Sequence, residues 1–155
     1  MNGYQASCQC GAVRLRFTEV RGPRVLCHCW RCQKSTGSAF GANVSVARDG
    51  FEILNGEDYL ANYESSPGKR RRFCRQCGSP MFAEVDRDPS VLRIRLGVLD
   101  TRFEAPHRGH IFVAEMAPWD RIHDDAPQHP GWPPASGIRL AGSRQPVADD
   151  PETDQ

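Results

Sequence analysis

Seven cysteines fall in three tight clusters, Cys8-Gln9-Cys10, Cys27-His28-Cys29-Trp30-Arg31-Cys32 and Cys74-Arg75-Gln76-Cys77. Their number is odd and the gaps within each cluster are one or two residues, a pattern that suits a metal ion better than a disulfide framework. A disulfide needs Cα atoms roughly 4.4–6.8 Å apart with opposed Cβ vectors, whereas a Cys-x-x-Cys turn aims both sulfurs at one point. Clustered thiolates are soft donors that select zinc or iron–sulfur chemistry over harder cations, and zinc(II) is the expected ion. A closed structural site takes four protein ligands, while a catalytic one takes three and keeps a position for water or substrate. Seven ligands therefore predict two zinc ions per chain, one of each kind.

One division groups Cys8 and Cys10 with Cys74 and Cys77 as the closed site and leaves Cys27, Cys29 and Cys32 around an open metal. The rival takes Cys29, Cys32, Cys74 and Cys77 as a two-knuckle ribbon, which strands Cys8, Cys10 and Cys27 without a role. The first is preferred, because thiolates from each end of a β domain would staple those ends together and the middle three lie close enough to share an ion. His28 has ligands on both sides, so its ring is expected to point away from the metal.

The elements that must position these sulfurs read as strands. Val13, Leu15 and Phe17 alternate with Arg14 and Arg16 directly after the first cysteine pair, the period of a half-buried strand. Val25-Leu26 leads into the middle cluster. Beyond it Gln33 to Gly37 reads as a short helical turn ended by glycine, followed by the apolar run 39–44. Phe51 to Leu54 is another strand. Tyr59 to Tyr63 and Lys69 to Phe73 are hairpin arms around Ser65-Ser66-Pro67-Gly68, and the last cysteine pair ends the second arm. Met81 to Val85, Val91 to Leu96 and His110 to Val113 complete about eight short strands. An all-β fold follows, with two packed or partly open antiparallel sheets. Val91 to Leu96 is a candidate edge strand that could pair across a two-fold axis, so the chain is read as a monomer or homodimer. Phe40, Phe82, Phe112 and Trp119 read as core.

Residues 1–126 are expected to form one zinc-binding domain. Residues 127–155 are proline-rich, acidic at the end and poor in large apolar side chains, so they read as a partly disordered tail that drapes or is disordered from about residue 140. Trp119 and Trp132 are candidates to pin its early part. At 155 residues the chain can bury a core without help from metals. Lys plus Arg number 20 against 19 Asp plus Glu, so no global field gathers nucleic acid or an anionic membrane, and neither is an expected partner. Lys69-Arg70-Arg71-Arg72 reads as a hairpin arm with alternate residues in solvent, where it could pair with ligand carboxylates. The N-terminus reads as lacking a basic and apolar leader, no segment is apolar enough to span a bilayer, and free thiols point to a reducing compartment, the cytoplasm. His107 and His110 read as structural or rim residues.

The blocks Cys8-Gln9-Cys10-Gly11-Ala12-Val13, Cys27-His28-Cys29-x-x-Cys32-Gln33-Lys34-Ser35-Thr36-Gly37-Ser38, Phe73-Cys74-Arg75-Gln76-Cys77-Gly78-Ser79, His110-Ile111-Phe112 and Ala117-Pro118-Trp119 appear in one order. Over about residues 4–126 they resemble the glutathione-dependent formaldehyde-activating enzymes, a family that also includes centromere-protein-V-like proteins. The resemblance implies a β fold of the Mss4-like type, a structural zinc on Cys8, Cys10, Cys74 and Cys77, and a catalytic zinc on Cys27, Cys29 and Cys32. It implies a carbon–sulfur lyase of the S-(hydroxymethyl)glutathione synthase kind, joining a small thiol such as glutathione to formaldehyde or a related aldehyde. Lys34, Ser35, Thr36 and Gly37 are the candidate substrate-binding residues, with His28 as a proton relay. The alternative is a non-catalytic zinc module that binds a thiol carrier or a protein partner.

Overall fold

The computed structural model describes residues 3–104 and 107–134. A three-stranded sheet contains β1 (Tyr4–Ser7), β2 (Arg14–Phe17) and β5 (Phe51–Asn55), in the order β1-β2-β5. In β2 the alternation is strict, with Leu15 and Phe17 buried and Arg14 and Arg16 exposed. The larger sheet has seven strands: β3 (Arg24–Cys27), β4 (Gly41–Ala47), β6 (Leu60–Ser66), β7 (Lys69–Cys74), β8 (Pro80–Val85), β9 (Val91–Arg95) and β10 (His107–Ile111). Their order is β10-β3-β4-β9-β8-β7-β6. Every pairing is antiparallel except that of β10 with β3. One helix, α1 (Trp30–Thr36), joins β3 to β4.

The two sheets face each other across the main core. Leu15 and Phe17 from the small sheet pack in one cluster with Val44, Val46, Phe82, Leu92 and Ile94 from the large one. Each such side chain contributes about 1.5–3 kcal/mol by leaving water, so this face holds the sheets together. Successive residues of a strand point to opposite faces. The registers Asn43↔Arg95, Ser45↔Arg93 and Arg93↔Ala83↔Arg71 therefore put a polar and cationic row on the other face, the side that also carries Cys27 opposite Gly41.

Three expectations need correction. β9 is not an edge strand, because it is hydrogen-bonded between β4 and β8; its arginines mark the second, covered face of a central strand rather than a solvent edge, and Arg95 is buried. The edges of the large sheet are β6 and β10. Trp119 is not core, since it follows the last strand and is 71% exposed. Lys69 to Arg72 does not alternate simply between core and water: β7 is also an inner strand, Arg71 is buried on one face, and Arg70 and Arg72 lie on the other against Glu84. Phe82 does belong to the core.

Residues 127–134 run back along β10. His110 N–H donates to the Pro127 carbonyl, His129 N–H to that of His110, and Val113 N–H to that of His129. Trp132 packs edge-on against Phe112 at 5.2 Å. The expected tail from residue 140 lies outside the described residues. No helix among the described residues is long and apolar enough to cross a membrane.

Candidate metal centres

The seven sulfurs gather as four and three. Those of Cys8, Cys10, Cys74 and Cys77 all lie within 4.8 Å of one another, and so do those of Cys27, Cys29 and Cys32. Individual separations are 3.5 Å for Cys8–Cys10, 3.8 Å for Cys10–Cys74 and 3.4 Å for Cys27–Cys29. A disulfide would need about 2.05 Å. Four sulfurs around one zinc at about 2.3 Å stand roughly 3.8 Å apart, so both groups have the donor chemistry and spacing that a zinc ion requires. The ribbon grouping of Cys29, Cys32, Cys74 and Cys77 is not what the fold assembles.

The four-sulfur group is made from two tight turns on different sheets. In the first, Cys8 leaves β1, Gly11 N–H returns to the Cys8 carbonyl, and Val13 N–H donates to Cys8 Sγ at 3.2 Å. The second follows β7, where Gly78 N–H bonds the Cys74 carbonyl and Cys74 N–H bonds that of Ser79. Ser79 Oγ lies 3.2 Å from Cys77 Sγ and accepts from Gln9 N–H at 3.0 Å, joining the two turns directly. The hydroxyl and amide of Ser79 together with the backbone at Cys10 hold the Cys77 thiol down at about 5. A metal here would staple the small sheet to the large one.

The three-sulfur group sits where β3 turns into α1. Cys27 ends the strand, Cys29 caps the helix by accepting from Cys32 N–H, and Cys32 lies one turn in. A seven-residue helix is too short to stand by itself, so its caps matter. Gly37 closes it in the left-handed conformation at φ 63°, its N–H on the Gln33 carbonyl. All three cysteines are buried. Their thiols are mutually dependent. Hydrogen bonds from Cys27 and Cys29 hold the Cys32 thiol far below its ordinary range, helped by the charges of Arg71 and Arg95. The bonds to Cys29 and Cys32, then burial, push Cys27 well above it. Cys29 is lowered by its bond from Cys27 but raised more by its bond to Cys32, burial and the Cys32 charge, and ends at about 11. Three thiolates therefore need a cation among them.

The candidate residues around this group separate in the structure. His28 is fully buried and outside the sulfur group: its Nε2 lies 2.8 Å from His110 Nδ1, and its ring packs on Phe40. His110 Nε2 lies 3.2 Å from both oxygens of Asp124. A carboxylate accepts, so His110 Nε2 carries a hydrogen and its Nδ1 accepts from His28 Nε2–H. That leaves His28 Nδ1 as a buried lone pair with no hydrogen-bond partner among the described residues. Burial, then the nearby His110, hold the His28 imidazole below its usual range.

Ser35 bonds the Cys32 carbonyl and also meets two buried guanidiniums, Arg71 Nη1 at 3.2 Å and Arg95 Nη2 at 3.3 Å. Thr36 Oγ1 donates to the Cys32 carbonyl at 2.8 Å, so Thr36 and Gly37 are occupied in ending the helix. Lys34 is exposed on the last turn. Gly41, opposite Cys27, has no room for a side chain: a Cβ would stand 2.7 Å from Arg95 Nη1 and 3.3 Å from Cys32 Cβ.

Sequence reasoning missed Arg95, Asn43, Asp124, Gln33 and Glu115, and gave His110 too small a part. Gln33 Nε2 donates to the carbonyls of His28 and Glu115, and Trp30 N–H donates to Glu115 Oε2, tying the cysteine loop to the segment after β10. The one available signal was the Arg93/Arg95 alternation against Leu92/Ile94, which marks a polar face.

Comparison with known proteins agrees with this layout. The family model for glutathione-dependent formaldehyde-activating enzyme matches residues 3–115. A Halomonas elongata protein named "Putative glutathione-dependent formaldehyde-activating enzyme" is 28% identical over 127 residues, covering 76% of this chain and 80% of that protein. The crystal structure of a Rhodobacter sphaeroides protein shares the fold at a TM-score of 0.53 and 19% identity, covering 66% of this chain and 98% of the other. With the match extending from β1 past β10 and including all seven cysteines, the chain belongs to the glutathione-dependent formaldehyde-activating enzyme family.

Proposed function

We propose that this protein is a zinc-dependent carbon–sulfur lyase that forms or cleaves the adduct of a small glutathione-like thiol with formaldehyde or a related aldehyde. Family membership supports the general activity. The observation that carries the finer reading is the buried group of three sulfurs with no fourth protein donor among the described residues. Cys27, Cys29 and Cys32 would hold a catalytic zinc, and Cys8, Cys10, Cys74 and Cys77 a structural one. A zinc ion on three thiolates would leave a fourth coordination position open to a further sulfur, which it would bind as the thiolate.

The chain's own residues would manage the proton. The thiol hydrogen passes to His28 Nδ1. His28 Nε2–H then moves to His110 Nδ1, and His110 Nε2–H to Asp124, whose side chain is 46% exposed and meets water. The thiolate sulfur forms the C–S bond as the carbonyl π pair moves to oxygen, and a proton returning along the same relay completes the hydroxyl. Cleavage runs the steps backwards. Burial of the three cysteines and His28 excludes bulk water, which strengthens each electrostatic contact.

Two substitutions test the reading. Cys29→Ser should keep a folded protein with one zinc per chain and abolish acceleration of S-(hydroxymethyl)glutathione formation over the uncatalysed rate. Cys74→Ser should unfold the protein or lower its melting temperature sharply. A Cys29→Ser protein with undiminished rate, or a wild type that never exceeds the uncatalysed rate, would sink the proposal.

A further inference from the structure

We infer that Arg71 and Arg95 form a buried counter-charge that lets the three-sulfur group take an anionic fourth ligand, which makes both of them positioning residues of that site. The inference rests on the zinc and thiol reading above and adds to it one residue from β7 and one from β9. Arg71 is 7% exposed and Arg95 6%, and neither meets a carboxylate among the described residues. A buried cation needs an anion to offset its lost hydration. Arg70 and Arg72, on the opposite face of β7, have theirs in Glu84, and Arg70 also meets Asp86. The face that carries Arg71 has no acid to offer: its row of Asn43, Ser45, Ala83, Arg93 and Arg95 contains none. Asn43 Oδ1 accepts from Arg95 Nη1, and the Ser35 hydroxyl from Arg71 Nη1 and Arg95 Nη2. Both guanidiniums are thus held by neutral oxygens, and Arg71 Nε and Nη2 make no hydrogen bond among the described residues.

The sulfurs are the anions that remain. A Cβ added at Gly41 would stand 2.7 Å from Arg95 Nη1 and 3.3 Å from Cys32 Cβ, so the guanidinium and the cysteine approach each other over a single glycine. Burial lowers the Arg95 guanidinium, and the charge of Cys32 opposes that fall. Ser35, three residues beyond Cys32 on α1, brings Arg71 to the same helical turn. Charge then decides what the open position takes. Three thiolates with one zinc(II) sum to a single negative charge, which by itself repels a further anion. Two guanidiniums turn that sum to a single positive charge, and a fourth thiolate brings it to zero. A neutral fourth ligand leaves the buried cluster charged. The arginines therefore select for charge at the metal without touching the ligand.

The experiment is visible spectroscopy of cobalt(II)-loaded protein, whose ligand-field bands change when the three-sulfur group gains a fourth ligand. Two probes are titrated: 2-mercaptoethanol, which binds as an anion and has no other ionisable group near neutrality, and imidazole, which binds neutral. In Arg71→Met the thiol should bind about 10-fold or more weakly than in the wild type, the effect of removing one close charge. Imidazole binding and cobalt content should stay unchanged. Arg71→Lys keeps the charge and should bind the thiol as the wild type does. Arg95→Met should repeat the thiol-selective loss; if it sheds cobalt or fails to fold, the two Arg71 variants decide. Equal weakening of both probes in Arg71→Met would show a structural role, no weakening of either would show that the charge is not felt at the metal, and an Arg71→Lys protein as weak as Arg71→Met would show that shape matters instead. Each of these overturns the inference while leaving the thiol site standing. If the wild type takes no thiol at its cobalt, the thiol reading itself fails and this inference falls with it.

Discussion

Replacing His110 should separate its part in holding the fold from its part in moving a proton. The residue is 2% exposed and bridges His28 Nε2 at 2.8 Å to the Asp124 carboxylate at 3.2 Å. His110→Ala would leave the His28 donor buried without a partner beside a lone pair at Nδ1 that already lacks one. An orphaned buried donor costs about 1–3 kcal/mol, and removing a buried ring adds a cavity cost of about 2 kcal/mol or more. The expected loss is about 3–5 kcal/mol, a large share of the roughly 5–15 kcal/mol that stabilises a typical domain. His110→Gln is the control. Its amide can accept from His28 through oxygen and donate to Asp124 through nitrogen, so it should cost only about 1 kcal/mol, yet it cannot pass a proton. Urea unfolding of zinc-loaded protein measures the first effect, and the rate of adduct formation the second. If His110→Ala and His110→Gln are equally stable, the hydrogen-bonded chain is not what holds His28. A fully active, stable His110→Gln would remove the relay from the mechanism.

Glu84 offers a test in the acid range. Burial pushes its carboxyl up, but the Arg48 hydrogen bond and the charges of Arg48, Arg72 and Arg70 outweigh it and hold the group below its ordinary value of 4.5. A depressed carboxylate contributes stability that is fully present above its unfolded value and is lost as pH falls through the folded one. Glu84→Gln should therefore cost about 1–2 kcal/mol near neutrality, and in denaturant titrations its difference from the wild type should shrink as pH drops below 4.5; a constant difference across that range contradicts the assignment. Gly41→Ala should displace Arg95 and Cys32 from their present approach. Zinc analysis should then show weakened retention at the three-sulfur group with the four-sulfur group intact, and unchanged retention of both ions would show that the strand relaxes instead.

Much of this layout is legible in the chain because it is written in local spacing. The alternation of Val13, Leu15 and Phe17, the Pro67-Gly68 turn between β6 and β7 and the cysteine gaps each act over a few positions, and the strands and sulfur groups follow from them. Features that failed to show depend on which strands become neighbours. Arg93 and Arg95 look like a solvent edge until β4 and β8 flank β9, and the Lys69–Arg72 run looks like an arm with one face in solvent until β7 is enclosed by β6 and β8. Glu115 reaches the cysteine loop, and Asp124 reaches His110 behind it, through tertiary contacts that no periodicity signals. The helix also begins earlier than its residues suggest, at Trp30, because a cysteine sulfur rather than a Ser or Asp side chain provides the cap.

The placement of the two sulfur groups explains why one should serve stability and the other reactivity. Cys8 and Cys10 come from a turn of the small sheet, Cys74 and Cys77 from a turn of the large one, and Cys74 is wholly buried. Losing an ion there frees two sheets from one another, so binding energy at that group is folding energy. Cys27, Cys29 and Cys32 span six positions of one strand-to-helix junction, and the sheets meet elsewhere, through Leu15, Phe17, Val44, Ile94 and their neighbours. An ion can leave or exchange ligands at that junction while the core persists. What the junction does depend on is the helix, whose N-terminal cap is Cys29 and whose third turn-mate, Ser35, carries the arginines. The sulfurs and the two buried guanidiniums of Arg71 and Arg95 are therefore tied to one short element.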